Sequence, residues 1–227
     1  MLRKLKPTIA VIDSGMGGVS VLKQLLELNS FENYIYFADN LHMPYGKLSP
    51  KFLRARVEKI INMLNEKYCV DLIVVACNTA SSVLDATKFK NVITMEFDKS
   101  KTYLATPLTR KMNEEVNVIA DCRLAKMIED NILNKKKLKT IIKNHITFLG
   151  LENYKEIVLG CTHYELVADI FREILPETRI IKNSENVVKR IDLTKFSAYE
   201  VGEPTILVLQ SKPSKRYRET LNKLIRG

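Results

Sequence analysis

Short apolar runs, each closed by small or polar residues and followed by helical spacing, recur along this chain and limit what it can become. Thr8-Ile9-Ala10-Val11-Ile12 leads into the turn Asp13-Ser14-Gly15-Met16-Gly17-Gly18, after which Val19, Leu22, Leu25 and Leu26 repeat at helical period. Tyr34 to Ala38 and Leu72 to Ala76 are runs of the same kind. Between them Leu53, Val57, Ile60, Ile61 and Leu64 mark the apolar stripe of a helix over 50–64, and a third helix is expected from Asn78 onward. A strand that is apolar at nearly every position is covered on both faces, as in parallel sheets. Strands alternating with helices predict a doubly wound α/β fold. The pattern resumes after about residue 90, with strands expected around Tyr103-Leu104-Ala105, Val116 to Ile119 and Ile157 to Leu159. Helices are expected over 124–138 and 164–175, and late strands at Ile180-Ile181 and Ile206 to Leu209.

Composition narrows the class. A chain of 227 residues, 46% hydrophobic and 27% charged, supports one large domain or two small ones. No run of about 18 apolar residues is present, so no membrane span is expected. Met1-Leu2-Arg3-Lys4 runs straight into strand-like sequence without a hydrophobic signal core, which reads as a cytoplasmic chain. In that setting Cys69, Cys77, Cys122 and Cys161 stay reduced, and the absence of any Cys-x-x-Cys disfavours a structural zinc site. The net charge of +10 comes from 36 basic and 26 acidic residues. The basic residues gather at 135–139 and at Lys212, Lys215, Arg216 and Arg218 without interleaved aromatics, so a solvated lysine-rich face is the simpler reading and a nucleic-acid partner is disfavoured.

The chemistry-bearing residues stand at strand ends. Cys77 closes one apolar run and is followed by Asn78-Thr79; Cys161 closes another and is followed by Thr162-His163. A buried cysteine at a strand end is most often a small hydrophobe, the reading kept for Cys69 and Cys122. For the pair, the polar neighbours argue for more, because such side chains are costly to bury without a polar partner, and a helix start favours thiolate. A metal site from Cys77, Cys161 and His163 is the third reading. Gly15-x-Gly17-x-x-Ser20 nearly matches a dinucleotide fingerprint, with Asp39 at about the distance of a ribose ligand, but its third glycine is missing. The alternative is an anion seat made by Ser14 and the turn's N–H groups, with Asp13 as an ammonium ligand or base. Pro44-Tyr45-Gly46 is a loop at the same edge, with the Tyr45 hydroxyl on offer.

Taken together, IAVIDSGMGGVSVL, YFADNLHMPYG, VVACNTAS and VLGCTHYEL resemble the glutamate racemase family, of the cofactor-independent aspartate/glutamate racemases. Residues 104–109 resemble the family's threonine turn, and 122–129 its segment ending in a helper glutamate. The resemblance implies two pseudosymmetric α/β lobes with mostly parallel sheets and an active site in the cleft between them. On this chain that means residues 1–90 plus 184–227 for the first lobe and 91–183 for the second. It implies interconversion of L- and D-glutamate for peptidoglycan synthesis, with no cofactor and no metal. Cys77 and Cys161 become the acid/base pair, Asp13 and His163 their relay partners, and Glu129 a helper. Asp13, Ser14, Tyr45, Gly46, Asn78, Thr79, Thr106, Thr162 and His163 become the substrate contacts. The stretch between the two cysteines is shorter than the family's, which implies a trimmed second lobe, and Asn183 stands where an acidic residue is common. An aspartate or broader amino-acid racemase, and a non-catalytic ligand-binding protein on the same scaffold, stay open as rivals. So does a homodimer.

Overall fold

The computed structural model describes residues 7–196 and 202–226. Its first sheet is built from β1 (Thr8–Asp13), β2 (Asn33–Ala38), β3 (Leu72–Val75), β4 (Val92–Thr94) and β9 (Thr205–Gln210), in the order β4-β3-β1-β2-β9. The second holds β5 (Thr102–Ala105), β6 (Asn117–Ala120), β7 (Glu156–Gly160) and β8 (Arg179–Lys182), in the order β6-β5-β7-β8. Every strand pairing is parallel. Parallel neighbours need crossovers, and helices supply most of them. In the first half these are α1 (Val19–Glu27), α2 (Pro50–Tyr68) and α3 (Asn78–Ser81). In the second they are α4 (Pro107–Met112), α5 (Leu124–Asn131), α6 (Lys135–Leu149), α7 (Thr162–Leu166) and α8 (Ala168–Ile174). α9 (Ser184–Lys189) and α10 (Lys215–Arg226) belong to the return toward the first sheet.

Alternate side chains of β1 enter different cores. Ile9 and Val11 join α1, Tyr34 and Tyr36, whereas Ala10 and Ile12 join Leu53, Val57 and Ile61 of α2. The second sheet is covered unequally. Leu104, Ile157 and Leu159 pack under α5, α6, α7 and α8, but the opposite face carries only a small cluster of Tyr103, Ala105, Val116, Val118 and Val158.

Each sheet reverses winding beside its first strand, and each cysteine stands at that point. In the first sheet the chain goes from β1 outward to β2 and returns on the other side through β3; Ile12 pairs with Val75, which levels Ser14 with Cys77. In the second, β5 is flanked by β6 and β7, and Ala105 pairs with Gly160, which levels Thr106 with Cys161. Crevices outside the carboxyl ends of strands at such switch points are where open α/β sheets hold ligands.

Several local expectations change. The helix expected over 124–138 is two helices, because Asn131 turns its amide to the Met127 carbonyl and Asn134 caps α6 by accepting from Lys137 N. The one expected over 164–175 breaks at Val167, whose φ of −121° leaves the helical region. The third helix is a single turn over Asn78–Ser81. The short strand β4 pairs with β3, so the first sheet extends past the residue-90 boundary drawn from the sequence. Cys69 and Cys122 are exposed rather than buried, and Cys69 is the left-handed cap that ends α2.

The glycine turn is where the two halves of the chain touch most closely. A Cβ on Gly17 would stand 2.7 Å from the His163 backbone nitrogen and nearer still to Thr162 Oγ1, and one on Gly18 would stand 2.7 Å from the Asp13 Cβ. Backbone cannot step aside as a flexible side chain can. Gly17→Ala is therefore expected to cost about 1–3 kcal/mol as an overpacking change, seen as a fall of several degrees in Tm by thermal unfolding. An unchanged Tm would mean that the halves do not meet at this turn.

Candidate active site

The two sets of strand ends face each other across a small cavity of about 20 Å³. Ser14, Tyr45, Gly46, Cys77, Asn78 and Thr79 line it from the first half, and Thr106, Cys161, Thr162 and His163 from the second, with Met43, Pro44 and Ala125 completing the wall. Asp13 and Glu129 stand behind this lining.

Each thiol has a polar neighbour at the same distance. Cys77 Sγ lies 4.0 Å from Ser14 Oγ, and Cys161 Sγ lies 4.0 Å from His163 Nδ1. Burial pushes the Cys77 thiol well up from its ordinary value, and the charges of Asp13 and Cys161 add to the effect. The two sulfurs are thus near enough to sense each other's charge. Burial also raises Asp13, against the opposing pull of His163 and the Gly15 N–H.

On the other side a carboxylate–imidazole–thiol line runs inward. His163 Nε2 is 2.6 Å from Glu129 Oε2. Burial alone would lower the imidazole's pKa, but the Glu129 charge and the Cys161 sulfur outweigh it, and His163 is raised well above its ordinary value. Glu129 responds in kind: burial raises it, yet His163 and the hydrogen bonds from Met16 N and Tyr217 leave it lowered. A proton is therefore held on the ring between a carboxylate and a sulfur, the orienting logic of a catalytic triad.

The halves are stitched together by hydrogen bonds in and just behind the cavity wall. Thr162 Oγ1 donates to Asp13 Oδ1 at 3.0 Å, and Met16 N donates to Glu129 Oε2 at 3.0 Å. Thr79, Thr106 and Thr109 place three hydroxyl oxygens 3.0–3.3 Å apart in a closed triangle. Asn78 Oδ1 accepts from Asn183 at 2.7 Å, while the buried Asn78 Nδ2 has no protein acceptor. An unpaired buried N–H costs roughly 1–3 kcal/mol, and in a cavity wall it is a donor waiting for a ligand.

Other expectations are corrected here. The turn is not a free anion seat: Gly15 N donates to Asp13 Oδ2 and Met16 N to Glu129, so protein carboxylates already occupy those N–H groups. The Tyr45 hydroxyl donates to Asp39 Oδ2 at 2.8 Å instead of standing free. Asp39 is no ribose holder. Burial raises its pKa, but the Arg56 fork at 2.7 and 2.9 Å, with Ser211, His42 and Tyr45, brings it down to about 2. Among the described residues no three His, Cys, Asp or Glu side chains converge as a metal set, and no helix is long and apolar enough to cross a membrane.

Known proteins place this arrangement. No protein-family profile matches the chain. A glutamate racemase of Caldanaerobacter subterraneus subsp. tengcongensis is 31% identical over 218 residues, covering 86% of this chain and 77% of the relative. The chain belongs to the glutamate racemase family. Its fold superposes on a glutamate racemase isoform of Bacillus anthracis with a TM-score of 0.82, at 22% identity, over 97% of this chain and 94% of the other. A Francisella tularensis glutamate racemase, solved in complex with D-glutamate, superposes with a TM-score of 0.77, at 22% identity, over 98% and 94% of the two chains.

In this member of the racemase family, Tyr217 and Glu165 escaped the sequence, while Thr109 and Asn183, noted there only within motifs, bond to Thr79 and Asn78 of the first half. Glu165 sits two residues past His163, fully buried, and accepts from Ser20 Oγ of α1 at 3.2 Å and from Ser184 N at 3.0 Å. Burial raises Glu165 from 4.5 to about 7, although the Ser184 and Ser20 hydrogen bonds pull the other way. Between those values the folded protein holds a proton that the unfolded chain has released, so this contribution is complete below about pH 4.5 and is lost as pH rises through about 7. Glu165→Gln is expected to flatten that fall, worth on the order of 3 kcal/mol, when denaturant unfolding is compared at pH 5 and pH 8. A variant with the same pH dependence as the native protein would contradict it.

Proposed function

We propose that the protein interconverts L- and D-glutamate by moving the α-proton between two thiols, Cys77 on one face of the substrate and Cys161 on the other. The observation that carries this reading is the pair of buried thiols at the two switch points, each 4.0 Å from a hydrogen-bonding partner and both lining one cavity. Family membership supports the substrate.

The states of the two sides differ in the way such a reaction needs. Burial keeps Cys77 protonated and ready to donate. On the other side the imidazolium held by Glu129 stands 4.0 Å from the Cys161 sulfur, the thiol assigned to accept. A substrate presenting its α-hydrogen to Cys161 loses that proton to the sulfur and receives one from Cys77 on the opposite face. Configuration inverts, and the thiols exchange roles for the reverse direction. The carbanion-like state is held by preorganised donors in the pocket between the two halves. Asn78 Nδ2, the threonine hydroxyls and Ser14 are those donors, with Gly46 and Tyr45 shaping the wall and Thr162 and His163 the far side. Asp13, raised by burial and near enough to charge-couple to Cys77, serves that thiol as His163 serves Cys161. The chain's own residues carry the proton on both faces, so the reaction asks for neither a cofactor nor a metal, and both thiols come from one chain, so no second copy is needed to complete the site. The product fits a cytoplasmic supply of D-glutamate for peptidoglycan.

The test is turnover without added cofactor, with D-glutamate and D-aspartate supplied separately in deuterium oxide. Glutamate is expected to lose optical activity and take up α-deuterium, and a folded protein that does neither would refute the proposal. Cys77→Ala and Cys161→Ala should each cut racemisation about 10³-fold, the scale of a lost acid/base group. If either kept near-native turnover, the two-base mechanism would be wrong. Faster exchange of aspartate than of glutamate would move the assignment to an aspartate racemase.

A further inference from the structure

Glu129 is gripped from three directions. His163 Nε2 and Met16 N share its Oε2, while Oε1 accepts from the Tyr217 hydroxyl at 2.7 Å. The first partner comes from the second half of the chain, the second from the glycine turn, and the third from α10, which lies against α1 and buries Leu221 in the core of the first sheet. We infer that Tyr217 is a positioning residue for the proton relay, fixing the Glu129 carboxylate against His163 from the C-terminal helix. This rests on the racemase reading above.

The argument is one of direction. A buried carboxylate needs donors on both oxygens, and a carboxylate anchored only through Oε2 is free to swing about that oxygen. Tyr217 removes this freedom, because its hydroxyl is carried on a rigid ring whose helix is itself docked. Its phenol stays protonated beside the Glu129 charge, since burial and that charge both push its ionisation far above the ordinary range. It is therefore a permanent donor. Both residues border a second cleft that is open to solvent. Water can replace the lost hydroxyl there, but a water does not fix the angle of the carboxylate. The effect of removing the hydroxyl should fall on the chemical step and not on substrate binding, because neither residue lines the substrate cavity.

Tyr217→Phe keeps the ring and deletes the hydroxyl. With D-glutamate it is expected to lower kcat about five- to tenfold, the scale of one lost hydrogen bond partly replaced by water, with KM held within about twofold. In the Glu129→Gln background the same change should cost nothing further, because the group through which it acts is gone. Independently of turnover, the Glu129 carboxyl followed by ¹³C NMR should titrate at higher pH in Tyr217→Phe, since a donor to its anion has been removed. A native-like kcat, an equal loss in both backgrounds, or an unmoved Glu129 titration would each overturn the inference. Native kcat in Glu129→Gln would overturn the relay itself. Absence of turnover in the native protein would instead remove the racemase reading and this inference with it.

Discussion

Two sheets can share one small ligand only if their carboxyl ends meet without a layer of side chains between them. Gly17 meets that condition, because any side chain there would collide with Thr162 and the His163 backbone. The closeness lets Asp13 reach Thr162 and lets Met16 N reach Glu129. It also explains the turn's composition without a nucleotide: its glycines admit the opposite half of the chain, not a pyrophosphate.

A seam this tight traps charge. Asp13, Glu129 and Glu165 are all buried in it, and each is satisfied differently. Glu129 faces an imidazolium and two further donors, Met16 N and the Tyr217 hydroxyl, so it remains ionised. Asp13 and Glu165 have hydroxyl and backbone donors, and burial raises both. An ionised carboxylate without such partners would be expelled or neutralised. The division makes the seam asymmetric even though the two sheets are alike, with a proton held on the imidazole by the Glu129 charge on one side and one favoured by burial of Asp13 on the other. In the two-thiol reaction proposed above, inversion needs that kind of imbalance, because one thiol must begin with its proton and the other without.

What the sequence revealed was local. Apolar runs, the strand-end thiols and their Asn-Thr and Thr-His followers were readable because the signal for each lies within a few consecutive residues. Contacts between distant segments were not. Nothing around Tyr217 marks it as the partner of Glu129, since the bond joins positions 88 apart in the chain. Asp39 looked like a ribose ligand because the Arg56 that claims it arrives on the next helix. The backbone N–H groups of the turn looked free because the carboxylate that takes Met16 N comes from α5. The split of 124–149 into two helices lay in Asn131 and Asn134, whose side chains compete for backbone groups, a weak cue inside an otherwise helical pattern.

The strand order sets a schedule for making the molecule. The second sheet is a continuous stretch of chain and has all its strands once residue 182 is available. The first sheet does not, because β2 must wait for β9, and Asn33 finds its partner in Thr205. During synthesis, which exposes residues from the amino end onward, the later half of the chain can thus complete its sheet before the earlier half. Until then β2 presents an unpaired edge, the kind of surface that invites pairing with other chains. Tyr217 follows β9 on α10, so the third grip on Glu129 closes only after the first sheet has its last strand.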